Sequence, residues 1–479
     1  MRKTKIICTI GPSSKSEENI EKLLKAGMNV ARINFSHGSH QEHGETIDRF
    51  RKVRDKLGIA AAVLLDTKGP EIRVKNFING KETLVEGELF TLTTKDVEGT
   101  KDCVSVTYKD LSKEVSKGNL VLINDGKIVL EVVETNDTDV VGKVIHGGVI
   151  SNHKGINLPN VNLTMEYLSP VDKSDLLFGI EKDVDYVAAS FIRTADDVRA
   201  IRKFLDENGG EKIRIISKIE STQGVDNFEE ILGLSDGIMI ARGDMGVEVA
   251  YEMLPGLQKR FIKRCVQSGK IVITATQMLE SMIDSPMPTR AEITDVANAV
   301  FDGTTAVMLS GETAAGKYPV EAAATMAKIA MQAEEDLRHM GTKPAIWHEM
   351  DSLDVTNAVG HAACTLAEDI KASAIMAVTK TGYTAGRMSK FRPNVPIIGA
   401  TPYEKSFHQM ALMWGVSPIR ANYRDDIDEL LGHFVRKAVR ENLVEEGSKV
   451  VISAGLPVDV KGNTNMIKVM TATLNKEEN

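Results

Sequence analysis

Residues 214–220 read RIISKIE and residues 237–244 read GIMIARGD. Each is a short β-type run, apolar at its centre and charged at its end. Residues 270–277, KIVITATQ, repeat the pattern. Upstream it recurs in residues 5–11 (KIICTIG), 29–35 (NVARINF), 61–67 (AAVLLDT) and 185–191 (DYVAASF), and downstream in residues 305–311 (TAVMLSG). Helix-type stretches separate these runs, an alternation that predicts parallel strands joined by crossover helices. Eight units suit a closed (β/α)8 TIM barrel; a doubly wound open sheet is the rival, built from the same unit with fewer strands.

Polarity within the runs carries more than their number. Arg32 and Asn34, Asp66 and Thr67, Lys218 and Glu220, Asp244 and Thr276 all fall at C-terminal strand ends. In a parallel barrel those ends share one face, where barrel enzymes place their chemistry. A single polar strand end signifies only that a loop follows; cations, carboxylates and amides on five or more of them point to a site.

The rhythm breaks between residues 68 and 168. That stretch is rich in Val and Thr, with alternating runs such as LVEGELFTLTT and GNLVLINDGKIVLEVVE and turn signals at Asn79-Gly80 and Asp125-Gly126. It reads as an all-β domain inserted in a loop on the active face, able to act as a water-excluding lid. From about residue 343 a second α/β pattern begins: a helix over residues 353–370, then strands over 374–379, 395–400, 416–420 and 449–454. The expected domains are a barrel over residues 1–69 and 169–342, an inserted β-barrel lid over 70–168 and a C-terminal α/β domain over 343–479.

The chain has 479 residues, 42% hydrophobic and 26% charged, enough for several ordinary globular domains. Net charge is −8 and both signs are interspersed, so no basic stripe is offered to nucleic acid. Four dispersed cysteines, with no Cys-x-x-Cys pair, argue against a zinc site or a disulfide framework and suit a reducing, cytoplasmic setting. No run approaches a membrane helix, and the N-terminus carries no signal-type apolar stretch, so no membrane partner is expected.

In Ser217-Lys218-Ile219-Glu220, residues two apart on a strand share a face, so Lys218 and Glu220 project together. The plainer alternative is a structural salt bridge. On the next strand Asp244 stands between Gly243 and Gly246, whose backbone can approach a ligand closely. Arg242, in the same Arg-Gly-Asp, shows no packing purpose. Two carboxylates from adjacent strand ends suit Mg²⁺ or Mn²⁺, with room left for water and substrate. Alternation in Arg32-Ile33-Asn34-Phe35-Ser36-His37 sends Arg32, Asn34 and Ser36 to one side, facing Asp66 and Thr67. Neutral oxygens with a single Asp form a weak-field cage suited to a monovalent cation. His37 reads either as a ligand-stacking residue or as a plain loop histidine. With Arg73 the set describes phosphoryl transfer, in which the protein positions two anions and neutralises their charge. No P-loop and no Ser/His/Asp or Cys/His arrangement is present.

At these residues the sequence resembles the pyruvate kinase family over about residues 4–472. The matching stretches are ICTIGPSS, VARINFSHG, LLDTKGPEIR, ISKIES, IMIARGDMGVE, ATQMLESM, PTRAEITDVANAV and MLSGETAAGKYP. The resemblance implies transfer of phosphoryl from phosphoenolpyruvate to ADP, giving pyruvate and ATP in glycolysis. It implies Mg²⁺ at Glu220 and Asp244, and K⁺ at Asn34, Ser36, Asp66 and Thr67. Lys218 would stabilise the phosphoryl group in flight. Arg32, Gly243, Asp244 and Thr276 would hold phosphoenolpyruvate, with Lys218 beside them, and Thr276 would lie near the carbon that is protonated. Asn34, Phe35, Ser36, His37 and Arg73 would meet the nucleotide phosphates. Glu71 stands where K⁺-independent relatives carry lysine, which favours K⁺ dependence. Where relatives show Glu-Lys-Asp this chain has Pro170-Val171-Asp172, with Lys173 a possible substitute for the missing lysine.

In the C-terminal domain, Thr379-Lys380-Thr381-Gly382-Tyr383-Thr384 lies between a strand and a helix, reading as a phosphate nest or as an ordinary capped turn. The resemblance implies a sugar-phosphate or nucleotide effector there, with residues 454–462 as a second wall, and a homotetramer. No additional C-terminal domain of the kind some bacterial relatives carry is read. Met282, Trp347 and Trp414 read as core or interface residues, and Gly311-Glu312-Thr313 as touching either nucleotide or a subunit contact. A lyase-type barrel acting on an enolate would not need the monovalent-cation set, and a non-catalytic paralogue would have lost one of Lys218, Glu220, Asp244 or Thr276.

Overall fold

Eight parallel strands close on themselves: Lys5–Thr9, Val30–Asn34, Ala62–Asp66, Tyr186–Ala189, Arg214–Ile219, Gly237–Ala241, Ile271–Ala275 and Ala306–Leu309. Neighbours in sequence are neighbours in space, and the first strand pairs with the eighth in the register Lys5↔Ala306. The open doubly wound sheet is thereby excluded. The computed structural model describes residues 1–341, 354–422, 424, 426–455 and 464–474.

Successive strand residues face opposite ways, so each strand feeds two cores. Ile7, Leu64, Tyr186, Ile216, Met239 and Met308 fill the barrel interior. Ile6, Cys8, Val63, Leu65, Val187 and Ile215 pack outward against the helices. Burial on both faces explains why these runs lack hydrophobic alternation. The helices are specified locally. Ser39, Ser169, Thr194 and Thr289 each form a capping box with an acidic residue three positions on, which fixes where the chain leaves a loop and begins a helix.

The chain leaves the barrel after the third strand and returns before Tyr186. Between them lie a seven-stranded sheet and the two-stranded ladder Lys81–Leu84 with Gly148–Ser151. Val104, Ile123, Leu130 and Val144 belong to its own core. At the second turn signal Asn124, Asp125 and Gly126 all have positive φ, the left-handed backbone this tight reversal between Leu120–Ile123 and Ile128–Thr135 requires.

The helix Pro319–Met340 ends at Gly341 in the left-handed conformation and leads towards the C-terminal domain. There the strands run in the order Val416–Arg420, Ile397–Thr401, Ala374–Val378, Lys449–Ala454 and Met466–Thr471. The first four are parallel. Met466–Thr471 is an antiparallel edge strand that the sequence reading did not include. The expected helix over 353–370 is Val355–Asp369, capped by the Asp354 side chain. Leu353, Trp347, residues 456–462 and the terminal residues 475–479 lie outside the described residues. The domain is seated on the N-terminal end of the barrel, where Leu412 joins the interior core and the Tyr186 hydroxyl donates to the Gln409 carbonyl at 2.6 Å.

Candidate active site

Arg32, Asp66, Lys218 and Glu220 reach the barrel mouth from the second, third and fifth strands. All four are at least nine-tenths buried. Arg32 Nε donates to Asp66 Oδ2 at 2.6 Å, and its Nη1 donates to Thr9 Oγ1 at 2.9 Å. Lys218 Nζ donates to Asp66 Oδ1 at 3.1 Å and to Ser190 Oγ at 2.7 Å, and lies 3.0 Å from Glu220 Oε1. The second Glu220 oxygen accepts the Phe191 backbone N–H at 2.5 Å.

Charge settles unevenly in this cluster. Burial works against the Lys218 ammonium, but Asp66 and Glu220 outweigh it and hold its pKa above the ordinary lysine value. Burial likewise opposes the Asp66 carboxylate, and Arg32 and Lys218 overcome it, leaving its pKa low. Glu220 behaves differently. Burial pushes it up to about 7, Lys218 opposes the rise and the Asp244 charge adds to it. Lys218 faces two carboxylates, whereas Glu220 faces one ammonium and a second carboxylate, so the pair does not share its benefit equally.

Asp244 sits in the short helix Arg242–Glu248, which starts where the sixth strand ends. The Gly243 N–H donates to Thr276 Oγ1 at 2.7 Å, joining the sixth and seventh strand ends. Thr276 and Gln277 both hold positive φ, an uncommon backbone for non-glycine residues outside sites that constrain it. Arg242 does have a structural task, contrary to the sequence reading. Its guanidinium donates to the Thr276 carbonyl at 2.6 Å and to Asp295 Oδ1 at 2.7 Å, pinning the strand end that carries Thr276.

Asn34 ends its strand, and its Oδ1 accepts the Ser36 N–H at 3.2 Å, so Ser36 and His37 belong to a turn rather than to the strand. His37 is exposed. Phe35 is buried and its ring stacks on His43 at 4.2 Å between centroids, which leaves its backbone as the part available to a ligand. Thr67 is buried and its hydroxyl accepts the Ser190 N–H at 3.2 Å. Arg73 lies in the inserted domain, with Nε 2.7 Å from Glu71 Oε2 and Nη1 donating to the His153 carbonyl. Val171 is exposed, and Lys173 pairs with Glu166 at 3.2 Å.

Ser190 is the residue that sequence reasoning missed. Its hydroxyl accepts from Lys218, donates to the Thr67 carbonyl at 2.6 Å and lies 3.2 Å from Asp66 Oδ1. Its position at the end of the fourth strand was the available signal. Glu312 and Thr313 are buried and bonded internally: Glu312 accepts the Leu279 and Ser310 N–H groups, and Thr313 donates to the Thr9 carbonyl.

In the C-terminal loop, Thr379 Oγ1 accepts the Gly382 N–H at 3.0 Å, and Gly382 has φ +82° at the N-terminus of helix Tyr383–Lys390. The Lys380 carbonyl accepts from Ser406, and the Thr384 hydroxyl lies 2.9 Å from that of Thr464.

A parallel barrel whose rim gathers an ammonium, a guanidinium and paired carboxylates beneath a β insertion defines an enzyme that handles anionic substrates. The family model for "Pyruvate kinase, barrel domain" matches residues 1–323, and that for "Pyruvate kinase, alpha/beta domain" matches residues 357–470. The pyruvate kinase of Clostridium acetobutylicum is 48% identical over 470 residues, 98% of this chain and 99% of that protein. That of Geobacillus stearothermophilus is 47% identical over 470 residues, 98% of this chain and 80% of that protein. A crystal structure of a pyruvate kinase from Cryptosporidium parvum superimposes with a TM-score of 0.93 at 38% identity, covering 98% of this chain and 96% of the other. The chain belongs to the pyruvate kinase family, whose members are metal-dependent phosphotransferases.

Proposed function

We propose that the chain transfers the phosphoryl group of phosphoenolpyruvate to ADP, giving pyruvate and ATP as the last step of glycolysis, at the rim centred on Lys218. The observation that carries this reading is the placement of one buried ammonium between Asp66 and Glu220, next to the Arg32 guanidinium. Phosphoryl transfer asks mainly for positioning and for positive charge where negative charge accumulates. Lys218 meets the phosphoryl group in flight, and Arg32 holds its oxygens. The Gly243 N–H, the Asp244 backbone and the Thr276 hydroxyl hold the rest of phosphoenolpyruvate. Thr276 stands by the carbon that gains a proton as enolpyruvate becomes pyruvate. Asn34, Phe35, Ser36, His37 and Arg73 meet the nucleotide phosphates.

The donor sets fit two kinds of cation. Glu220 and Asp244 are hard oxygen donors, and burial, with a further push from the Asp244 charge, raises Glu220, so a divalent cation between them is favoured as Mg²⁺ or Mn²⁺. Among the described residues no cluster of three or more His, Cys, Asp or Glu side chains could cage a metal, so the remaining ligands are water and substrate oxygens. When bound, the divalent ion supplies charge neutralisation to the transferring group. Asn34, Ser36, Asp66 and Thr67 offer three neutral oxygens and a carboxylate already shared by Arg32 and Lys218, a weak field suited to K⁺.

The domain boundaries proposed are residues 1–69 with 169–342, 70–168 and 343–479. Residues 379–384 take a sugar-phosphate or nucleotide effector, and the enzyme works as a cytoplasmic homotetramer. No helix among the described residues is long and apolar enough to cross a membrane. The deciding experiment is a coupled assay of ATP formation from ADP and phosphoenolpyruvate, with Mg²⁺ and K⁺ supplied or withheld. Turnover that needs both ions supports the reading. Absence of ATP formation with both present rejects the reaction, and equal rates with Na⁺ in place of K⁺ reject the monovalent site.

A further inference from the structure

Two histidines stand behind the turn of residues 35–38 without being part of the site described above. His43 lies one turn into the helix His40–Leu57. Its ring stacks on Phe35 at 4.2 Å between centroids, at the start of the turn. At the other end Gly38 has φ +84°, and a β-carbon added there would stand 3.0 Å from His43 Cε1 and 3.3 Å from its Nε2. One imidazole therefore borders the turn at both ends, with Ser36 and His37 between them. His43 Nε2 is buried and has no hydrogen-bond partner, so the ring acts on the turn by its shape. Burial favours its neutral form: the pKa lies below the ordinary histidine value, chiefly through desolvation, against the His37 backbone and the Asp175 and Glu42 charges.

The helix that carries His43 is fixed in turn by its first residue. His40 Nε2 lies 2.6 Å from Asp175 Oδ1, and the His40 ring stacks on Phe178 at 4.6 Å between centroids. Asp175 and Phe178 belong to the helix Pro170–Glu181, which begins where the inserted domain returns to the barrel. Phe178 and Phe35 are 5.9 Å apart between ring centres, which closes the cluster. Asn34 needs no such support, because it ends a strand in register with Asp66. Ser36, His37 and Gly38 lie beyond that strand and take their place from what packs behind them.

We propose that His43 is a positioning residue for the nucleotide: its flat ring holds residues 35–38 in the shape in which Ser36 and His37 meet the phosphates of ADP. The inference rests on the reading of this turn as a nucleotide-phosphate contact. A turn that is ordered beforehand spares the ligand the cost of ordering it. A contact made by shape also predicts which substitution restores it. Phenylalanine keeps the flat ring and removes the idle nitrogen, whereas alanine keeps neither.

ADP binding to the full chain is measured by titration calorimetry with Mg²⁺ and saturating K⁺, since Ser36 also belongs to the proposed monovalent-cation set. His43→Ala should raise the Kd for ADP about tenfold. KM for phosphoenolpyruvate at saturating ADP should change less than about twofold. His43→Phe should return the Kd to within about threefold of the parent, with Tm at or above the parent value. His43→Leu, which fills the space without a flat face, takes the place of His43→Ala should that variant fail to fold. His37→Ala, in the turn itself, is the control. If His37→Ala weakens ADP binding and His43→Ala does not, the positioning role is overturned and the nucleotide reading stands. If neither weakens it, the nucleotide reading of the turn falls and the positioning role with it. A Kd in His43→Phe as high as in His43→Ala overturns the role of ring shape, and a lowered Tm in His43→Ala with the Kd unchanged makes His43 a packing residue only.

Discussion

Lys218 Nζ stands 3.0 Å from Glu220 Oε1, on the same face of one strand and two residues apart. The same carboxylate is required for a divalent ion under the proposed function, so the ammonium occupies its coordinating oxygen until metal and substrate arrive. Under that function, a cation held by Glu220 would free Lys218 to meet the phosphoryl group. Breaking a buried pair costs energy unless both charges find new partners, here a cation for Glu220 and a phosphate for Lys218. Substrate and metal should each favour the binding of the other.

Lys218→Met is expected to lower kcat by about a thousandfold or more, with KM for phosphoenolpyruvate changed by less than about fivefold. Arg32, the Gly243 N–H and Thr276 remain to hold the ground state, whereas the charge that strengthens in the transition state is gone. Steady-state kinetics at saturating ADP check this. A KM that rises as steeply as kcat falls would instead make Lys218 a ground-state binding group.

Glu220 supplies a pH test whose sign is fixed. Its folded pKa is raised from 4.5 to about 7, chiefly by burial, so the folded protein binds this proton more tightly than the unfolded chain does. In metal-free protein its contribution favours folding below pH 4.5 and is lost as pH rises to about 7. Wild-type Tm should decline relative to that of Glu220→Gln across this window. Divalent-ion affinity should climb over the same range, because binding displaces the proton. Parallel Tm profiles for the two proteins would show that Glu220 titrates normally.

Ser190→Ala probes the residue that the strand pattern left unmarked. It removes one of three partners of the Lys218 ammonium and frees the Thr67 carbonyl. A lost hydrogen bond to a buried charge costs about 1–3 kcal/mol, which expressed in the transition state is a roughly 5- to 150-fold fall in kcat. Ser190→Thr, keeping the hydroxyl, should recover part of it. If Tm drops by several degrees while kcat holds, Ser190 is a packing residue only.

What the chain made legible follows from physics that acts over a few residues. Lys218 and Glu220 could be paired from sequence because a strand returns to the same face every second residue. The eight barrel strands stood out because burial on both faces leaves continuous apolar runs. Ser190 was not legible as a ligand of Lys218, since a hydroxyl at a strand end looks like any helix cap. Neither was the Phe191 N–H, whose aim at Glu220 depends on a positive φ that phenylalanine does not advertise. Arg242 was misjudged because its partners, the Thr276 carbonyl and Asp295, lie 34 and 53 residues away. Met466–Thr471 escaped notice as an edge strand only partly covered on either face.

Asp172 ties the two chain crossings into the inserted domain together. It is 2% exposed, and its Oδ1 accepts the Gly69 N–H at 3.0 Å where the chain leaves the barrel. Its Oδ2 accepts the Ser169 hydroxyl at 2.5 Å where the chain returns. One carboxylate thus staples both crossings. Asp172→Ala should strand the buried Gly69 N–H and uncap the helix Pro170–Glu181, costing about 1–3 kcal/mol. Because the change loosens the hinge rather than the rim, limited proteolysis should cut near residues 69 and 169 several times faster. KM for ADP should rise more than KM for phosphoenolpyruvate, since Arg73 travels with the insertion and Arg32 does not. Equal shifts in both constants, with cleavage unchanged, would mean that the two crossings are held by the surrounding packing and not by Asp172.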